Sequence, residues 1–186
     1  MNLLPWVQLF FLDGLNLIWL ALGLFVAGAG EAFLWKAPWF QVFNHPIQET
    51  WFGANKKWRG LTSLPLTHTL SVFLFQLLEK PFLHQLPEDL ILFSDFNFLE
   101  YGLLVGLVFN LSELPNSFIK RRLQIPAGDE SSPIFYFIDH ADSTYGTLIL
   151  WYFYFHISSH LILTGLVVTP LLFMGATALR KQLGLK

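Results

Sequence analysis

Cysteine is absent from the chain, which excludes disulfide frameworks, thiolate metal sites and cysteine nucleophiles. Charge is scarce as well, with Asp, Glu, Lys and Arg making up 13% of the 186 residues. Eleven basic residues against 13 acidic ones leave a net charge of -2, so no overall basic excess points to nucleic acid as a partner. No internal repeat and no low-complexity linker is visible. What fills the chain instead is apolar: 54% of residues are hydrophobic and 17% aromatic, for a mean hydropathy of +0.50. That excess lies in long runs, which predicts an all-α, polytopic membrane helix bundle, with residues 1–186 forming a single integral membrane domain.

A crossing helix needs roughly 20 mostly apolar residues. Five stretches meet that need, over about 6–29, 61–78, 99–114, 137–155 and 158–179. The Ala27-Gly28-Ala29 triplet mimics a leader-peptide cleavage site, but the apolar run before it is too long and lacks a basic start. Five crossings sort Lys36, Lys56, Lys57, Arg59, Lys120, Arg121, Arg122, Arg180, Lys181 and Lys186 onto one side, with only Lys80 opposite. The positive-inside rule makes that side the cytoplasm and puts the amino terminus outside. The expectation is five transmembrane helices with cytoplasmic polar loops, in the cell membrane.

The polar chemistry concentrates on that same side. Gly53-Ala54-Asn55-Lys56-Lys57-Trp58-Arg59-Gly60 places two glycines around three cations. Topology alone accounts for juxtamembrane cations. The glycines add something topology does not require, a backbone able to approach an anion closely. Further on, Asn110, Glu113, Ser117, Lys120 and Gln124 recur at helical spacing and extend a polar face into the end of an apolar run, beside Asn116, Arg121 and Arg122. A polar face of that richness in a membrane helix is costly, and by default it walls a site or a cavity. Glu113 pairing with Ser117 or Lys120, and Pro115 kinking the helix, are the plainer alternatives.

Asp139, Asp142 and Ser143 lie in the stretch that opens the next span, and Asp139, Asp142 and Gly146 share a helix face. Two carboxylates three residues apart can each lend an oxygen to Mg²⁺, leaving its other positions to water and substrate phosphate. Acids also suit the first turn of a helix through its dipole, which explains one of the two more readily than both. His156 and His160 have the four-residue spacing of a metal pair, but no third ligand accompanies them, and hydrogen-bonded interfacial histidines are the better reading. Asp13 and Asn16 share a face of the first span without an assigned role.

In these segments the chain resembles the CDP-archaeol synthase family of membrane CTP transferases, related to phosphatidate cytidylyltransferases. Ser117-Phe118-Ile119-Lys120-Arg121 is similar to the Ser-x-apolar-Lys-Arg core of the wider signature, and Asp139-His140-Ala141-Asp142 to its Asp-x-x-Asp ending. Gly53 to Gly60 resembles the family's Gly-x-x-Lys-Thr-x-Arg-Gly segment, with Lys57 where the family usually has Thr. Residues 125–138 lack the Lys-Asp and His-Gly-Gly elements of the phosphatidate enzymes and keep only a Pro126-Ala127-Gly128 turn, and His140 stands in place of an Arg.

The resemblance implies transfer of the cytidylyl group of CTP to a membrane lipid phosphate of the 2,3-bis-O-geranylgeranylglycerol phosphate type, with release of pyrophosphate. It implies Lys120, Asp139 and Asp142 as catalytic residues, the two aspartates holding Mg²⁺. Gly53, Asn55, Lys56, Lys57, Arg59, Gly60, Asn110, Glu113, Asn116, Ser117, Arg121, Arg122, Gly128 and Ser143 would contact substrate. The expected partners are CTP, the lipid phosphate and the bilayer, with no nucleic acid. A phosphatidate-type enzyme on acyl-glycerol phosphate and a non-catalytic lipid-binding adaptor are the alternatives, and a transporter is disfavoured because the sequence shows no polar residue set at the midplane of paired half-helices.

Overall fold

A computed structural model describes residues 4–129 and 131–182, so that Lys186 lies outside the described residues, as does the side chain of Arg180. Seven α-helices account for the architecture: α1 (Leu4–Leu34), α2 (Glu49–Phe52), α3 (Trp58–Glu79), α4 (Phe98–Leu111), α5 (Glu113–Arg122), α6 (Pro133–Phe153) and α7 (Ser159–Gln182). Short 3₁₀ turns lie at Pro38–Phe43 and Phe93–Asp95. No strand forms among the described residues; Pro46 and Lys57 make an isolated antiparallel bridge.

Among the described residues, four segments are long and apolar enough to cross a bilayer: Pro5–Leu34, Trp58–Glu79, Phe98–Arg122 and Ser159–Leu179. The remaining expected span corresponds to α6, whose 21 residues suffice in length but which carries Asp139, His140, Asp142, Ser143, Thr144 and Thr147. Its polarity is one-sided. Ser143, Thr144 and Thr147 are buried, while Ile134, Phe137, Ile149 and Phe153 are exposed on the outside of the bundle. The chain between α6 and α7 turns at His156 (φ +54°), so these are two helices and not one long bent one.

The third expected span is broken. α4 and α5 meet at Ser112, because Pro115 has no N–H to return to the Leu111 carbonyl. α5 then ends where Gln124 takes a left-handed conformation (φ +60°), so the polar face predicted to run through Gln124 stops at Lys120.

Helices in a membrane gain little from hydrophobicity and associate through close packing and polar contacts. Here the backbones of α3 and α4 approach closely, so that a Cβ on Gly102 would stand 2.3 Å from Thr69 Cα and one on Gly106 would stand 2.7 Å from Pro65 Cα. Leu17, Leu20, Val72, Phe93, Tyr101, Val105, Leu148 and Leu161 fill the centre.

One end of the bundle is closed by hydrogen bonds. Glu79, 2% exposed, accepts from Trp19 Nε1 (2.8 Å), Phe93 N (2.8 Å), Ser94 N (2.8 Å) and Ser94 Oγ (2.6 Å). Gln76 completes the same loop, its Nε2 donating to the Phe93 and Phe96 carbonyls. Asp13 accepts from His160 Nδ1 at 2.9 Å and from Thr164 Oγ1 at 2.9 Å, joining α1 to α7. Asn16 ties α1 to the same loop through Ile91 N at 2.8 Å. His160 is thus a hydrogen-bonded histidine, as the sequence favours, and among the described residues it joins no metal-ligand cluster.

Candidate active site

The other end gathers the carboxyl end of α1, the start of α3, α5 and the start of α6. α5 lends three buried polar residues, Asn116, Ser117 and Lys120, spaced so that one helical face meets α6. α6 starts at Pro133 behind Ser132, whose hydroxyl accepts from Phe135 N, and this places Asp139 and Asp142 opposite that face. Gly146 makes the approach possible: a Cβ there would stand 1.7 Å from Ser112 Oγ.

From these elements a continuous polar chain forms. Lys120 Nζ donates to Asp139 Oδ2 at 2.7 Å. The Asn116 amide donates to Asp139 Oδ1 at 2.7 Å and to Asp142 Oδ2 at 3.0 Å. Ser143 donates through its backbone N to Asp142 Oδ1 at 2.7 Å and through Oγ to Glu113 Oε1 at 2.8 Å. Glu113 Oε2 accepts from Lys56 Nζ, which closes the chain onto the basic loop before α3. The two aspartates therefore share a single amide nitrogen as their common focus. Their donor set is all oxygen, the chemistry a hard divalent cation takes. No group of three His, Cys, Asp or Glu side chains forms a ready cage among the described residues, so a cation here would complete its shell from water and substrate.

The basic loop is shaped by Gly53 (φ +88°), a conformation that favours glycine, with Arg121 Nη1 3.2 Å from where its Cβ would be. Arg121 Nε is buried and has no hydrogen-bond partner among the described residues, a donor left available beside the loop. The other cations are individually engaged. Lys57 Nζ donates to Asn44 Oδ1 at 2.9 Å, Arg59 lies 4.2 Å over the Trp35 ring and Arg122 lies 4.9 Å over Phe118. Asn110 Nδ2 donates to the Gly60 carbonyl at 2.8 Å, joining α4 to the first turn of α3. A cavity of about 260 Å³ opens between these parts, walled by Asn55, Lys56, Lys57, Arg59, Gly60, Asn110 and Glu113.

The structure thus brings together most of the residues singled out from sequence. Gly128 is not among them: it holds a left-handed turn (φ +79°) with no atom within 4 Å of where its Cβ would be. Next to it, Asp129 accepts from Ser131 N at 2.8 Å, which holds its carboxyl below the usual range. His140 also lies elsewhere, its Nδ1 meeting the Tyr136 carbonyl one helical turn back (2.8 Å) and its Nε2 meeting Thr177 Oγ1 on α7 (3.2 Å). The sequence reading missed Glu31, Trp35 and Ser63. Glu31 and Trp35 line the cavity from the end of α1. Ser63 Oγ donates to Glu31 Oε1, and Trp35 Nε1 donates to Ser63 Oγ at 2.9 Å. The available signal was an acid four residues before a Trp at the end of an apolar run.

A family model described as CarS-like, CDP-archaeol synthase, matches residues 46–186. The chain belongs to the CDP-archaeol synthase family. Membership brings with it the general class of CTP-dependent lipid cytidylyltransferase, with CTP and a lipid phosphate as substrates. Both the basic loop and the α5–α6 chain lie inside the matched residues, whereas α1 lies outside them. No curated protein and no solved structure matches the chain. The four apolar helices agree with the membrane setting of such a family.

Proposed function

We propose that the protein transfers the cytidylyl group of CTP to a membrane lipid phosphate of the 2,3-bis-O-geranylgeranylglycerol phosphate type, forming a CDP-archaeol-type lipid and pyrophosphate. A phosphate oxygen of the lipid attacks the α-phosphorus of CTP. The bond from that phosphorus to the oxygen bridging it to the β-phosphate breaks, and pyrophosphate leaves with the electron pair. The observation that carries this reading is the unbroken chain from Lys56 through Glu113, Ser143, Asp142, Asn116 and Asp139 to Lys120, which sets cations at both ends of a carboxylate pair.

Attack of one anion on another needs positioning and charge neutralisation more than it needs a base. Lys120 and Arg121 serve the phosphates on the α5 side, and Lys56, Lys57 and Arg59 close over them from the basic loop. Asn116 and Ser117 orient phosphate or ribose with neutral donors, and Arg122 remains at the rim, with its side chain exposed. Asp139 and Asp142 would hold Mg²⁺, which supplies positive charge against the phosphates of CTP.

In this reading α6 is the fifth span, with its polar face turned into the bundle and its apolar face to lipid, and the site faces the cytoplasm. Charge supports that orientation: Lys36, Lys56, Lys57, Arg59, Lys120, Arg121, Arg122 and Lys181 gather at the site end and only Lys80 at the other. Apolar clefts between the helices receive the lipid chains.

The test is incorporation of labelled CTP into lipid by purified protein with Mg²⁺, offering geranylgeranyl-glycerol phosphate and diacylglycerol phosphate side by side. The expected product is a CDP-lipid, formed faster from the isoprenoid substrate. Faster turnover of the diacyl substrate would assign the phosphatidate-type reaction. No product from either, with CTP still bound, would leave a non-catalytic binder.

A further inference from the structure

Glu31 is an acidic side chain in a cavity that Lys56, Lys57 and Arg59 line together with Glu113. It stands in the last turn of α1, where the helix dipole opposes a carboxylate, and it lines the cavity with Lys56, Lys57 and Arg59. Yet it pairs with none of them among the described residues: Lys56 is on Glu113, Lys57 is on Asn44 and Arg59 lies over Trp35. One carboxyl oxygen is held by Ser63 Oγ, which Trp35 Nε1 fixes in turn. The other oxygen receives no hydrogen bond from the described residues. Packing does not call for a charged group here, since a glutamine would satisfy Ser63 equally.

Resting on the reaction proposed above, we infer that Glu31 reads the nucleoside part of the substrate by accepting from the exocyclic 4-amino group of cytosine. A carboxylate repels the triphosphate and the lipid phosphate alike, so the group beside it must be a hydrogen-bond donor. An ether- or ester-linked glycerol phosphate has no N–H or hydroxyl to offer outside the phosphate itself. The nucleoside has both an amino group and a sugar diol.

Two features favour the base over the sugar. The Asn110 side chain directs one N–H to the Gly60 carbonyl, which fixes the amide and sets its oxygen as a second acceptor on the same cavity. Two acceptors match the two N–H bonds of the 4-amino group and reject uracil, which has a carbonyl at that position. The cavity, at about 260 Å³, is also smaller than the roughly 300–1,000 Å³ of pockets that enclose a whole drug-sized ligand, and suits a ring system beside an aromatic wall. Glu31 is therefore the specificity-determining residue that selects CTP over UTP, contributed by a helix outside the residues that match the family.

The inference is tested by equilibrium binding of CTP, UTP and 2′-deoxy-CTP to the full chain in detergent with Mg²⁺, a readout that does not require turnover. The unaltered protein is expected to bind CTP about ten-fold or more tightly than UTP. Glu31→Gln keeps an acceptor for Ser63 and offers an amide N–H to uracil, so the ratio is expected to fall to within about three-fold while UTP binds as well as before or better. A ratio that survives the substitution overturns the inference, as does equal binding of CTP and UTP by the unaltered protein. Lost discrimination against deoxy-CTP with an intact CTP to UTP ratio also overturns it, by placing the carboxylate on the sugar. Selective CTP binding that depends on Glu31, without turnover of either lipid phosphate, would overturn the proposed reaction and uphold this inference.

Discussion

The two ends of the bundle use carboxylates in opposite ways. At one end Glu79 is almost wholly buried and receives four donors, two on each oxygen, from Trp19, Phe93 and Ser94. At the other end Asp139 and Asp142 divide one Asn116 amide between them, and Asp139 remains open to solvent beside a buried Lys120. The fold has completed the first carboxylate, whose hydrogen bonds close a loop and leave nothing for a ligand to add. The second pair is held in place but incompletely coordinated, with cations arranged around it. Burial and charge alone would rank Glu79 as the more unusual residue in a membrane protein. Saturation of its oxygens is what marks it as structural.

That contrast breaks most visibly in paired substitutions. Asp139→Asn should lower labelled-CTP incorporation by about 100-fold or more while the purified protein elutes and melts as before. Glu79→Gln should do the reverse, costing about 3 kcal/mol of stability because an amide N–H₂ would face donors that need an acceptor. Activity per folded molecule should persist in that variant, measured as turnover after removal of aggregate. A catalytic loss in Glu79→Gln with an unchanged melting temperature would erase the distinction between the two ends.

A smaller effect sharpens the comparison at the site end. Gly146→Ala forces a methyl group into Ser112 Oγ, and the displacement of α6 should cost about 1–3 kcal/mol. It should also lower turnover, since Asp142 and Asp139, about one and two turns away, move with the helix. Thermal melting and the CTP assay, run on the same sample, check both. The smallest change is expected from Lys57→Thr. Lys57 spends its ammonium on Asn44, and its loss should alter turnover by no more than about three-fold.

The site was legible where helical spacing carried it. Asn110, Glu113, Ser117 and Lys120 share a face by arithmetic, and the aspartates at 139 and 142 share another. Sequence alone did not show that Asn116 would join the two faces. It also did not show where helices stop. The break at Ser112 follows from Pro115, and the left-handed Gln124 removed the last residue of the predicted face. Four of the five expected spans are apolar helices, whereas α6 combines a polar inner face with the length of a span. Glu31 escaped notice because one acid after a long apolar run reads as a boundary. Its meaning comes from Ser63 and Trp35, and Ser63 lies 32 residues away.

Gly146 has a meaning for how such a protein can change over generations. Outward positions such as Ile134 and Ile149 face the surroundings and are free to drift among apolar residues without disturbing the aspartates. Position 146 has no such freedom, because the space of a single methyl group is already taken by Ser112. Variation in the lipid-facing surface and constancy in the placement of the charges are thus inherited through different residues of one helix. The membrane and the lipid around this site can diverge while the register of its two carboxylates stays fixed.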